Sequence, residues 1–147
     1  MKDLLLTTSP DVGLFLLRLV LALVIFPHGA QKLLGWFGGY GLKGTMGYFT
    51  GQLKIPTLFG YLAILAEFLG AVLLATGTLT RIAAFGILSV MLVAAWTVHR
   101  GNGFFMNWSG TKKGEGFEFH ILAAGVALAL TIVGAGKWSV DALVASW

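Results

Sequence analysis

The chain contains no cysteine, and only 11% of its 147 residues are charged. Without a thiolate, the chain alone offers no thiol–disulfide chemistry, no iron–sulfur cluster and no thiolate metal site. Soluble domains carry about twice as much charge. The hydrophobic share of 57% and the mean hydropathy of +0.86 therefore indicate an integral membrane protein. The net charge of +4 is spread over loop ends, which favours contact with a membrane surface over nucleic-acid binding.

Four apolar stretches dominate the chain, at residues 12–34, 57–76, 82–98 and 117–134. Each is about long enough to cross a hydrocarbon core of ~30 Å at ~1.5 Å per residue. We therefore predict one membrane domain over residues 1–147, of the all-α class, folded as an antiparallel four-transmembrane-helix bundle. The first stretch is too long for a signal peptide and has no small-residue cleavage site after it, so we expect it to remain as a permanent helix.

The first connection, residues 35–55, holds seven glycines and five aromatic residues. Because glycine disfavours a regular helix, this composition predicts a Gly/aromatic-rich loop between the first two helices. Its aromatics suit an interfacial belt or a re-entrant lid that lies on the bundle. Lysine and arginine are more numerous beside the two long connections, which favours a cytoplasmic position for that side.

Two charged residues, Arg18 and Glu67, lie inside the first and second apolar stretches. Counting along each helix places Arg18 ~9 Å from the terminal side and Glu67 near the midplane, a separation that an arginine side chain can span. Charges at such depth are costly unless they are paired, so we predict a buried ion pair. A structural lock between two helices and a proton or ligand relay both agree with this pattern.

Three histidines, His28, His99 and His120, fall at a common depth of ~24–26 Å when each helix is counted from the terminal side. Gln31 and Lys32 share a helix face with His28, and Pro27 loosens the helix beside it. Three interpretations stay open at this level: a metal site, a quinone or lipid head group held by hydrogen bonds, and histidines that merely cap the interface. No His pair at i,i+4 and no His-x-x-Glu spacing occurs, so the metal interpretation has weak support and no metal ligands are assigned.

Several separate motifs run along the chain: residues 28–33 read HGAQKL, residues 35–39 GWFGG, residues 77–81 GTLTR and residues 138–141 WSVD. Together they resemble the DoxX family of small bacterial membrane proteins. The resemblance implies a four-helix bundle, with motif positions at Arg18, His28, Gln31, Lys32, Glu67, His99 and Glu118. The family is named for a link to a terminal quinol oxidase and to thiosulfate–quinone oxidoreduction, and other members look like partners of oxidative-stress and sulfur-transfer proteins.

From these features we interpret the chain as a small subunit of a redox or oxidative-stress-linked complex, multi-pass in the bacterial cytoplasmic (inner) membrane. It would bind a quinone or similar amphiphile through His28, Gln31, Lys32, His99 and Trp36. Because no flavin fingerprint is present, we expect no oxidoreductase activity from the chain alone. A scaffold that recruits partner proteins, and an oligomeric pathway for small solutes or protons, are the alternatives. The expected partners are the lipid bilayer, other subunits and further copies of the chain, but no nucleic acid.

Overall fold

The structure is a computed structural model that describes residues 5–147, so residues 1–4 of the predicted domain lie outside the described part. Its helices are α1 (Val12–Leu33), α2 (Gly41–Gly51), α3 (Thr57–Thr76), α4 (Thr80–Ala94), α5 (Glu118–Val133) and α6 (Val140–Ala145). A π-helical turn at Ala95–His99 and a 3₁₀ turn at Arg100–Asn102 extend α4. No strand occurs between residues 5 and 147, which agrees with the predicted all-α class.

Within residues 5–147, three helices are long and apolar enough to cross a membrane: Val12–Leu33, Thr57–Thr76 and Thr80–Asn102. The fourth span, predicted at residues 117–134, forms the helix Glu118–Val133, which has 16 residues and is therefore ~24 Å long. Small and branched apolar side chains fill the space between these helices, among them Ile25, Leu74, Ile87 and Leu130. The outer faces carry large exposed apolar side chains, as expected for helices whose surroundings are lipid.

The packing of α1 against α3 sets the depth of every polar residue on these two helices. Arg18, early in α1, contacts carbonyl groups at the end of α3, whereas Gly29, late in α1, lies against the middle of α3. A Cβ atom on Gly29 would lie 2.5 Å from the Cα atom of Phe68, so only glycine permits this approach. Glu67 is thus level with Gly29, which lies seventeen residues or ~25 Å along α1 from Val12. The count from the sequence had placed Glu67 near the midplane, and that position was wrong.

Residues 35–55 are more regular than the sequence predicted. After the 3₁₀ turn Trp36–Gly38, residues Gly41–Gly51 form the helix α2, so the prediction of a loop without regular helix was wrong for this part. The glycine content did not prevent a helix because tertiary contacts stabilise it. Met46 is buried against Gly60 of α3, and Gly39 lies directly on the backbone of Gln31. The segment therefore folds back onto α1 and α3.

Candidate functional site

The predicted ion pair between Arg18 and Glu67 does not form. Glu67 pairs instead with Lys32, near the end of α1, and this is the one ion pair among residues 5–147. The side chain of Glu67 is 4% exposed and that of Lys32 is 28% exposed. The depth counted from the sequence was wrong because α3 begins beyond the end of α1. Glu67, the eleventh residue of α3, therefore reaches the level of Gly29 rather than the midplane.

Arg18 is fully buried and is bonded to the backbone rather than to a carboxylate. Its guanidinium group donates hydrogen bonds to the carbonyl oxygens of Leu74 (2.7 Å), Ala75 (2.9 Å), Ala135 (3.1 Å) and Trp138 (3.0 Å). Two of these carbonyls close the C-terminal end of α3, where the helix dipole is negative and favours a cation. Arg18 thus has a structural role at this end of the bundle, which we call the terminal end.

A carboxylate serves the neighbouring helix start at the terminal end. Asp141 of α6 accepts hydrogen bonds from the backbone N–H groups of Leu79 (2.7 Å) and Thr80 (2.8 Å), where α4 begins. Ser139 accepts a hydrogen bond from the N–H of Ala142 and so caps α6 itself. These bonds fix α6 and the turn between α3 and α4 as one unit.

The opposite end of the bundle, which we call the loop end, collects the remaining polar groups. The rings of His99 and His120 are in contact, with 4.1 Å between their centroids and a tilt of 36° between their planes. His28 reaches this pair through Phe119, whose ring lies 5.9 Å from His28 and 5.4 Å from His120. With the ion pair between Lys32 and Glu67, these groups form a polar layer, defined here as His28, Lys32, Glu67, His99 and His120.

Glu115 and Glu118 hold the connection between α4 and α5 over this layer. The carbonyl oxygen of Glu115 accepts a hydrogen bond from Nδ1 of His99 at 2.9 Å, and its carboxylate accepts from the N–H of Asn107. The carboxylate of Glu118 accepts from the N–H of Met106 at 2.8 Å and from Nε1 of Trp108 at 3.3 Å. Both carboxylates therefore already accept hydrogen bonds from the loop.

A groove of about 640 Å³ lies between the end of α1 and the face of α2. Gln31 and Lys32 line it on one side, and on the other side lie Tyr40, Gly44, Thr45, Gly47, Tyr48, Phe49 and Gln52. Nε2 of Gln31 donates a hydrogen bond to the carbonyl oxygen of Phe37 at 3.2 Å, which fixes the amide. The groove therefore joins hydrogen-bonding groups to an apolar and aromatic wall.

The predicted site residues are only partly brought together. Gln31 and Lys32 line the groove, whereas His28, His99 and Trp36 do not. Trp36 is 54% exposed and touches the edge of Phe37. In the part of the chain that the structure describes, no three His, Asp or Glu side chains converge as metal ligands would.

Sequence reasoning missed the α2 side of the groove. The signal was present as a four-residue repeat in which Tyr40, Gly44, Tyr48 and Gln52 follow one another at i+4 spacing, which is one face of a helix. The glycine content concealed it, because the segment was interpreted as a loop.

Comparison with known proteins gives two matches and one negative result. A family model described as DoxX matches residues 13–100. The protein named "Putative oxidoreductase CatD" of Bacillus subtilis (strain 168) is 28% identical over 123 residues, which cover 84% of this chain and 81% of that protein. No solved structure matches the chain significantly.

Proposed function

The chain belongs to the DoxX family of membrane proteins, and we propose that it binds the head group of a quinone or similar amphiphile in the groove between α1 and α2. We further propose that it crosses the bacterial cytoplasmic membrane four times as an antiparallel bundle and acts as a subunit of a redox complex. The observation that carries the proposal is the juxtaposition of Gln31 and Lys32 with the aromatic face of α2 in one groove.

The dimensions and lining of the groove suit such a ligand. Ligand sites commonly have volumes of about 300–1,000 Å³, with apolar walls and a few polar groups that fix orientation. The rings of Tyr48 and Phe49 supply a flat apolar surface for a quinoid ring, and a long apolar tail would continue between lipid-facing helices. A quinone presents two carbonyl oxygens, which need hydrogen-bond donors.

Lys32 can supply hydrogen-bond donors for the carbonyl oxygens of a quinone. An ammonium group has three donors, and the structure assigns one of them to Glu67, which leaves donors for a ligand oxygen. The partly exposed position of Lys32 makes these donors accessible from the groove. Because Glu67 holds the ammonium in place, the donor is oriented before the ligand arrives, which lowers the entropic cost of binding.

The chain would supply binding and orientation, while electrons would come from a partner oxidoreductase. This division follows from the residues, since the chain has no cysteine and no flavin fingerprint. The name of the Bacillus relative supports an association with oxidoreduction, although that name describes the relative and not this chain.

A binding experiment with matched tyrosine variants tests the proposal. The chain is purified from native membranes, its co-purified lipids are extracted, and ubiquinone and menaquinone analogues are titrated into nanodiscs. Tyr48→Ala should weaken binding about fivefold, because an aromatic contact contributes ~1 kcal/mol. Tyr61→Ala is the matched control, since Tyr61 has nearly the same exposure, 45% against 44%, but lies outside the groove.

The alternative functions predict different experimental outcomes. Partner subunits that co-purify without any quinone, together with absent binding of both analogues, would support the scaffold. Solute or proton flux through proteoliposomes would support the pathway. Equal effects of Tyr48→Ala and Tyr61→Ala would show that a bound quinone does not lie in the groove.

A further inference from the structure

Thr45 is a buried threonine on the α2 wall of the groove, where it is 6% exposed. A threonine inside a helix commonly bonds its hydroxyl to a carbonyl oxygen one turn earlier. Four other threonines in helical turns make this bond, at 2.7–3.3 Å: Thr50, Thr76, Thr97 and Thr131. The side-chain hydrogen bonds along the groove and α2 are those of Gln31, Lys32 and Thr50. The hydroxyl of Thr45 therefore has no partner among residues 5–147.

The hydroxyl of Thr45 can be reached from outside the bundle. Among residues 5–147, three buried side-chain atoms are sealed from solvent and lack a partner, and they belong to Thr80, Arg81 and His120. The hydroxyl of Thr45 also lacks a partner but is not sealed, and the groove is the opening that Thr45 lines. Buried polar groups in folded proteins are nearly always bonded. A ligand in the groove would provide the missing partner.

Thr45 lies beside the aromatic part of the α2 wall. Tyr48 and Phe49 follow it at i+3 and i+4, so the three residues share one face of α2, and all three line the groove. A flat ring that packs against Tyr48 or Phe49 therefore brings one edge towards Thr45. Lys32 lies on the opposite wall and keeps ammonium donors beyond its bond to Glu67. A ligand in the groove thus meets a hydrogen-bonding group on each wall.

We propose that Thr45 is a second ligand-binding residue of the groove and that the ligand is a ring with oxygen atoms on two sides, one bonded by Lys32 and the other by Thr45. Because this assignment rests on the proposed function, it narrows the ligand class to rings with two oxygens. A threonine hydroxyl donates and accepts, so it bonds a carbonyl oxygen of a quinone or a hydroxyl group of a quinol. A ring with a single oxygen can satisfy only one wall. It should bind Lys32, because a charge-assisted hydrogen bond is the stronger of the two.

Binding of two matched ligands to the full chain in nanodiscs tests the proposal. The probes are menadione, which carries two ring carbonyl groups, and α-tetralone, a fused-ring ketone with one. Thr45→Val removes the hydroxyl and keeps the shape of the side chain. It should weaken menadione binding about fivefold through the loss of one hydrogen bond, and it should change the affinity for α-tetralone less than about twofold. Thr45→Ser keeps a hydroxyl and should retain menadione binding.

Thr50→Val is the matched control on the same helix. Thr50 lies outside the groove, and its hydroxyl already donates to the carbonyl oxygen of Met46 at 2.8 Å. This variant should leave the affinity for both probes unchanged. The unfolding midpoint without ligand is an independent measurement. Thr45→Val should match or exceed the parent in that midpoint, because it removes a buried hydroxyl that no described residue bonds.

Three results would overturn the proposal. They are equal weakening of both probes in Thr45→Val, unchanged menadione binding in that variant, and a lower unfolding midpoint, which would assign the hydroxyl a structural role. The behaviour of the parent separates this proposal from the proposed function. If the parent binds menadione and Thr45→Val binds it equally well, only the role of Thr45 is refuted. If the parent binds neither probe, both the role of Thr45 and the ligand-binding function of the groove are refuted.

Discussion

The exposure of Lys32 and Glu67 predicts an asymmetric response to breaking their ion pair. Lys32→Met leaves the carboxylate of Glu67 buried without its partner, and removal of one partner of a buried pair costs ~3–5 kcal/mol. Glu67→Gln should cost only ~1–2 kcal/mol, because an amide still accepts a hydrogen bond and the ammonium of Lys32 reaches the groove. The double change to Met should lie within ~1 kcal/mol of the parent, since a well-packed apolar pair often replaces a buried ion pair without loss.

The assay is an unfolding titration with SDS in mixed micelles, followed by the fluorescence of the five tryptophans. The cycle is completed by Glu67→Met, which should cost about as much as Glu67→Gln, and the coupling energy between the two positions should then be about 5 kcal/mol. A second cycle, Arg18→Met with Glu67→Met, should be additive, because Arg18 lies ~16 Å along α1 from the level of Glu67. Coupling in the second cycle, or a greater loss in Glu67→Gln than in Lys32→Met, would refute the assignment of the pair.

Three further variants follow from the same structure. Arg18→Met should cost more than ~3 kcal/mol in the SDS titration because it leaves four carbonyl groups without their donor; Arg100→Met, on the surface, should change stability by less than ~1 kcal/mol. Asp141→Ala should lower thermal stability by an amount typical of a lost helix cap, ~1–2 kcal/mol. Gly39→Ala should accelerate proteolysis of residues 35–55 in intact membranes, because its Cβ would lie 2.3 Å from a backbone oxygen, whereas Gly51→Ala has open space and should not.

The helices were predictable because long apolar stretches leave few alternatives. The start of α1 at Val12 and the bounds of α3 agree with the sequence, since Pro56 precedes α3 and Gly77 ends it with a positive φ of 68°. The predicted loop at residues 35–55 was wrong in part because helix propensity is a weak guide where tertiary contacts decide. The sequence alone did not show that Met46 would pack against Gly60 of α3.

The predicted ion pair was wrong for a different reason. Depth along a helix can be counted from the sequence, but the offset between two helices depends on how their surfaces fit. Here Gly29 fixes the offset by admitting the backbone of α3, and it places Glu67 beside Lys32 rather than beside Arg18. The common level of His28, His99 and His120 was estimated more successfully, since the rings of His99 and His120 are in contact.

The charged groups at the two ends of the bundle differ in how many hydrogen bonds they have left for a ligand. At the terminal end, Arg18 is fully bonded to the backbone, and both carboxylate oxygens of Asp141 accept from the start of α4. Such groups have little capacity left for a ligand. At the loop end, the ammonium of Lys32 has donors beyond its bond to Glu67, and Nδ1 of His120 has no partner among the described residues. Thr80 Oγ1 and Arg81 Nε, at the terminal end, also have no partner among the described residues, so buried unpaired atoms do not distinguish the two ends. The difference rests on Lys32, because its remaining donors lie beside the groove and can bind a ligand there.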